Sequence, residues 1–150
     1  MLNRISPQVS DIVISANRNL PRYRSYGYRV IPDSIEGFAG PLSGIASALP
    51  ACTHRWVLVT PCDMPYLPRD LLTTMYDARG NVPLVAIEAG GRLQLVLLMQ
   101  RDLLPTINTF LSSGQHRVMA WLQAQPHQLV EYNSTAHAFC NFNTLNDLET

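Results

Sequence analysis

Apolar and polar positions along the chain follow two periods, one of strands and one of helices. Residues 11–16 (DIVISA) form a short β-branched apolar run, the signature of a buried parallel strand. A polar loop follows, then a second short strand around Arg29–Ile31. Residues 41–49 read as a helix, with Pro41 at the first helical position, where its missing N–H costs nothing. Gly44 inside that helix weakens it and asks for a reason such as close backbone packing. Residues 56–60 (WVLVT) make the clearest strand and run into Pro61-Cys62-Asp63-Met64-Pro65.

The pattern continues downstream. A helix is predicted over 68–79, with Asp70 in its first turn. Strands are predicted over 82–88 and 93–99, joined by a hairpin turn at Gly90-Gly91. Helices over 101–113 and 117–125 stop at Gly114 and before Pro126. Short strands at 128–132 and 138–141 and a helical turn at 144–149 complete the reading. Strands alternating with helices predict an α/β fold with a mainly parallel sheet, in one domain over residues 1–150. In such sheets ligands bind at the carboxyl ends of strands, which singles out Asn17, Asp33, Asp63 and Asn141.

Composition narrows the chemistry. Hydrophobic residues make up 47% and charged residues 15%, which excludes a disordered chain. With 11 basic and 11 acidic residues there is no basic excess to hold a nucleic acid, so no nucleic-acid partner is expected. All the basic residues are Arg; with no Lys, no step can use a side-chain ammonium as a phosphate clamp. Cys52, Cys62 and Cys140 form no CxxC pair and fit free thiols in a reducing compartment. No signal-like or membrane-length apolar run is present, so a cytoplasmic protein without membrane contact is expected.

Asp63 is the strongest candidate for chemistry. A carboxylate held between two prolines at a strand end suits Mg²⁺; taken alone, the feature also describes a loop carboxylate bonding backbone N–H groups, the commoner case. The glycines of residues 37–44 let backbone approach a ligand, or simply serve a loop and helix cap; the segment is not a P-loop. Asn17, Asn141 and Asn143 could meet a base, ribose or pterin, or could serve turns; Arg117 could pair with a phosphate, or sit solvated at a helix start.

Taken in order, Ile14-Ser15-Ala16-Asn17-Arg18, Val30-Ile31-Pro32-Asp33, Gly40-Pro41-Leu42-Ser43-Gly44-Ile45, Pro61-Cys62-Asp63-Met64-Pro65-Tyr66-Leu67-Pro68, Arg117-Val118-Met119 and Asn141-Phe142-Asn143-Thr144 resemble the molybdenum cofactor guanylyltransferases over nearly the whole chain. The resemblance implies a Rossmann-like nucleotidyltransferase three-layer sandwich. It implies GMP transfer from GTP to molybdopterin bearing the metal, with Mg²⁺ as cofactor and molybdoenzyme maturation proteins as partners. By the same resemblance Asp63 is catalytic and holds Mg²⁺. Asn17, Asp33, Gly40, Pro41, Leu42 and Gly44 contact the nucleotide. Arg117, Asn141 and Asn143 line or support the pterin side.

Two departures from the family's pattern bear on activity. The chain starts after the family's opening strand and Gly-rich loop, whose Arg and Lys serve the triphosphate, so impaired turnover is expected. Gln94-Leu95 stands where the family often has Gln-Pro or His-Pro. Two other functions compete: a related nucleotidyltransferase using CTP or a sugar phosphate, and a non-catalytic protein that binds pterin or a partner.

Overall fold

The apolar runs form strands wherever they meet a neighbouring ladder. The computed structural model describes residues 1–34, 40–132 and 135–141. Its strands are β1 (Val13–Ser15), β2 (Arg29–Ile31), β3 (Trp56–Val59), β4 (Leu84–Ala89), β5 (Arg92–Gln100) and β6 (Gln128–Glu131). Its α-helices are α1 (Leu2–Ile5), α2 (Leu20–Arg24), α3 (Pro41–Ala48), α4 (Leu71–Ala78), α5 (Leu104–Ser112) and α6 (Val118–Gln123). Short 3₁₀ turns cover Ser6–Gln8, Leu49–Ala51, Arg101–Leu103 and Ala136–Phe139.

Two sheets result. β1 and β2 pair in parallel, with Val13 opposite Arg29 and Ser15 opposite Ile31. The second sheet has the order β3-β5-β4-β6. β4 and β6 are parallel, from Val85 opposite Gln128 to Glu88 opposite Glu131. The turn between β4 and β5 places Gly90 and Gly91 at φ of 58° and 71°, which suits a two-residue hairpin and makes these strands antiparallel. The Arg101 N–H donates to Arg55 O at 2.9 Å, so the start of β3 faces the end of β5. β3, β4 and β6 therefore share a direction, and β5 alone runs against them.

The chain forms two compact units. One comprises residues 1–10, 58–98 and 127–150, the other 11–57 and 99–126. In the first, the core is built by Leu67, Leu71 and Met75 with the inner residues of β4 and β5, all fully buried. α4 packs on β4, and its N-terminus is capped from far along the chain. Asp70, the residue before the helix, makes no side-chain cap. Instead Gln8 Oε1 accepts from the Leu72 N–H at 2.9 Å, while Gln8 Nε2 donates to Arg4 O at 2.7 Å and Pro68 O at 2.9 Å. In the second unit α3 packs on β1 and α5, and Leu42, Ile107, Trp121 and Leu122 are fully buried. Trp121 Nε1 donates to Thr106 Oγ1 at 3.1 Å, so its buried N–H is satisfied.

Three expectations need correction, and one element is new. The segment after β1 is not all loop, because α2 forms there behind Asn19 at φ 54°, with Pro21 in its first turn. Residues 2–8 are helical although the pattern does not announce it. β1 is half-buried rather than buried, with Ser15 exposed. It has a single ladder partner among the described residues, β2. Residues 138–141 are not a strand. Ala138 and Phe139 are adjacent and both buried, and Phe139 packs on Tyr132 with ring centroids 5.0 Å apart. An extended strand would send them to opposite faces, whereas the 3₁₀ turn turns both inward. The expected helical turn at 144–149 lies outside the described residues.

Candidate functional site

The second unit gathers three of the predicted segments. Two residues past β1, Asn17 turns its Oδ1 to accept the backbone N–H of Asp33 at 2.7 Å. Two residues past β2, Asp33 reaches α3 with both carboxylate oxygens. Oδ2 accepts from the Ser43 hydroxyl and Oδ1 from the Ser47 hydroxyl at 3.0 Å. Ser47 Oγ also accepts the Ser34 N–H at 3.1 Å. The loop ends after β1 and β2 are thereby tied to the first two turns of one helix.

That helix begins where the sequence places it. Gly40 precedes it at φ 142° and ψ 172°, a conformation essentially restricted to glycine. Pro41 is its first residue and is exposed, while Leu42 is buried in the core. Leu42 therefore serves packing through its side chain. A Cβ at Gly44 would stand 2.9 Å from Ser15 Oγ. The close approach expected at Gly44 is real, but it is to a side-chain hydroxyl rather than to backbone.

Ser43 and Ser47 are the residues that sequence reasoning missed as partners of Asp33. The available signal was their spacing: i and i+4 hydroxyls share a face of a short helix that is otherwise apolar.

Asp63 lies in the first unit, four residues past β3. Buried Met64 and Leu67 anchor its loop. Asp63 Oδ1 is buried and has no hydrogen-bond partner. The alternative of a loop carboxylate bonding backbone N–H groups is thus not realised at this oxygen. An unsatisfied buried acceptor costs about 1–3 kcal/mol unless a positive group meets it. Its chemistry fits a hard divalent cation that takes one carboxylate from the protein and its other oxygens from water and phosphate. Among the described residues no cluster of three or more His, Cys, Asp or Glu offers an all-protein metal cage.

The remaining predicted residues are scattered. Arg117 is exposed and precedes α6. Asn141 is exposed and follows a 3₁₀ turn, so it does not sit at a strand end. Asn143 lies outside the described residues. An open groove of about 560 Å³ in the first unit is lined by Arg4, Tyr66, Asp70, Tyr132 and His137, among others. None of the predicted site residues lines it.

Parallel strands that deliver polar side chains from their carboxyl ends beside a helix start define an α/β nucleotide-binding fold. Comparison with known proteins gives the same class. A family model described as the MobA-like NTP transferase domain matches residues 1–129. The molybdenum cofactor guanylyltransferase of Shewanella putrefaciens is 37% identical over 149 residues, covering 97% of this chain and 76% of that protein. The chain belongs to the MobA-like NTP transferase family, and is a nucleotidyltransferase by that membership. Two solved structures share its fold. A protein from Aquifex aeolicus VF5 superposes with a TM-score of 0.81 at 19% identity, covering 95% of this chain and 76% of that one. Molybdopterin-guanine dinucleotide biosynthesis protein A from Archaeoglobus fulgidus gives 0.72 at 19% identity, covering 99% and 79%.

Among the described residues no helix is long and apolar enough to cross a membrane.

Proposed function

We propose that the chain transfers GMP from GTP to molybdopterin-bound molybdenum cofactor, in the cytoplasm. The observation that carries this reading is the 37% identity over 149 residues to a protein named for that activity. The buried, unpartnered Asp63 Oδ1 supports it independently.

The reaction joins a terminal phosphate oxygen of the pterin to the α-phosphorus of GTP. The bond between that phosphorus and the bridging oxygen to the β-phosphate breaks, and pyrophosphate leaves. No covalent intermediate on the protein is required, so the side chains bind, orient and neutralise charge. Asp63 would hold Mg²⁺, which when bound offsets phosphate charge. Asn17, Asp33 and the backbone of Gly40, Pro41, Leu42 and Gly44 serve the nucleotide. Arg117, Asn141 and Asn143 serve the pterin and its phosphate, Arg117 as the cation. These 150 residues contain no Lys, so what they themselves bring to the triphosphate charge is Arg, backbone N–H groups and a bound metal ion. Molybdoenzyme maturation proteins are the natural recipients of the product.

Thermal unfolding with and without nucleotide tests the reading. A ligand that binds only the folded chain raises the midpoint by mass action. A rise with Mg²⁺ and GTP that CTP does not reproduce supports guanylyl transfer. A rise with CTP instead would replace the nucleotide, and indifference to all nucleotides would leave a binding protein without this reaction.

A further inference from the structure

Asn17 commits its amide oxygen to the fold, where it accepts the Asp33 backbone N–H at 2.7 Å. The orientation of the amide is forced by chemistry: a backbone N–H pairs with an acceptor, so the oxygen faces Asp33 and Nδ2 faces away. Asn17 is exposed, so its Nδ2 is presented as a donor. What holds Asp33 in register with Asn17 is α3. Both oxygens of the Asp33 carboxylate accept hydroxyls of that helix, from Ser43 and from Ser47. Ser47 also accepts the next backbone N–H, from Ser34 at 3.1 Å. One hydroxyl on the second turn of α3 therefore fixes two consecutive residues of the loop that aims Asn17. Ser43 also donates to Gly40 O at 3.0 Å, within its own helix start, whereas Ser47 is bonded to two residues of the loop, Asp33 and Ser34.

We infer that Ser47 is a positioning residue for the nucleotide. Through Asp33 it holds Asn17 so that Nδ2 donates to an acceptor atom of the nucleotide. Asp33 is on this account a strut between α3 and Asn17 in addition to its place beside the nucleotide, each of its oxygens accepting one hydroxyl of the helix. The inference rests on the reading that this unit binds a nucleotide.

The test is a double-mutant cycle on the full 150-residue chain, read as the dissociation constant for Mg·GTP, with hydrogen exchange of the Asp33 amide as a second readout. Ser47→Ala should weaken GTP binding about tenfold and speed exchange at Asp33, as expected for losing one hydrogen bond to a carboxylate. Ser47→Thr, which keeps the hydroxyl, should restore both. In an Asn17→Ala background, Ser47→Ala should change GTP affinity less than about twofold, because its route to the nucleotide is gone.

Additive losses would overturn the inference, since a general loosening of the fold needs no Asn17. An unchanged affinity in Ser47→Ala would overturn it as well. If the unmutated chain bound no nucleotide, the underlying reading would fail and the inference with it. Faster exchange at Asp33 in Ser47→Ala would then show that the strut itself is sound, which separates the two failures.

Discussion

Gly44 in α3 lies so close to Ser15 in β1 that a Cβ built on it would stand 2.9 Å from the Ser15 hydroxyl oxygen. The next nearest atom, Ser15 Cβ, is 3.9 Å away, an ordinary contact. Ser15 is exposed, so its hydroxyl can rotate aside. Alanine is better than glycine in a helix interior by about 1 kcal/mol. The rotation and the propensity gain oppose each other. Gly44→Ala should therefore fold, with stability within about 1 kcal/mol of the original. Gly44→Leu cannot be accommodated by one hydroxyl rotation and should lower the unfolding midpoint clearly. Urea unfolding of the two variants checks the pair. A large loss in Gly44→Ala would mean that β1 and α3 cannot yield at all.

Asp63 presents the opposite balance, between stability and function. Its Oδ1 is buried without a partner. Asp63→Asn removes the charge from that position and should leave metal-free stability unchanged or raise it, by up to about 1–3 kcal/mol. The same variant should lose the Mg²⁺-dependent part of any GTP-induced rise in the unfolding midpoint. Differential scanning calorimetry with and without Mg·GTP reads both effects. A destabilised apo variant would show that Oδ1 meets a protein donor after all.

Gln8 caps α4 although 64 residues separate it from Leu72. Its side chain makes three hydrogen bonds, to Arg4, Pro68 and Leu72. Gln8→Ala should cost about 1–2 kcal/mol, in line with the loss of a helix cap. Gln8→Glu keeps the acceptor for the Leu72 N–H but loses the two donations, so it should recover only part of the loss. Chemical denaturation curves for both variants decide.

The cysteines should differ in reactivity. Cys62 and Cys140 are exposed, while Cys52 is half-buried. Burial pushes the Cys52 thiol above its ordinary range, and the nearby Asp11 carboxylate adds to the rise against the pull of Arg29 and Arg101. Timed alkylation with iodoacetamide near pH 8, read by peptide mass spectrometry, should label Cys62 and Cys140 well before Cys52.

A raised folded-state value also sets a stability trend. Cys52 contributes stability that is fully present below its unfolded-state value, about 8.5, and is lost as pH rises through the folded value. Burial likewise raises the Tyr132 phenol, so a second loss should begin above about pH 10. Unfolding midpoints should fall from pH 8 to 11, and Cys52→Ser should remove the first part of that fall.

The sequence by itself determined the six strands and the order in which the four longer helices follow them, though not α1, α2 or the 3₁₀ turn at Ala136–Phe139. Period-2 and β-branched runs placed the strands β1 to β6 with ends that shift by no more than two residues, and Pro41, Gly90-Gly91 and Gly114 marked where chain direction or helix changes. These signals are local, because backbone conformation answers to neighbours within a few residues. The motifs around Asn17, Asp33, Gly40 and Asp63 were also legible, since a strand followed by a polar residue is a local pattern.

Only the tertiary structure decided what those polar residues touch. It set Asp33 on Ser43 and Ser47, turned the Asn17 oxygen inward to a backbone N–H, and left Asp63 Oδ1 buried without a partner. It capped α4 with Gln8 and made a 3₁₀ turn of Ala136–Phe139. Hydrogen bonds between residues 10 to 64 positions apart leave no periodic trace, because burial rewards a pattern while a single donor needs only one acceptor, supplied from anywhere the chain returns.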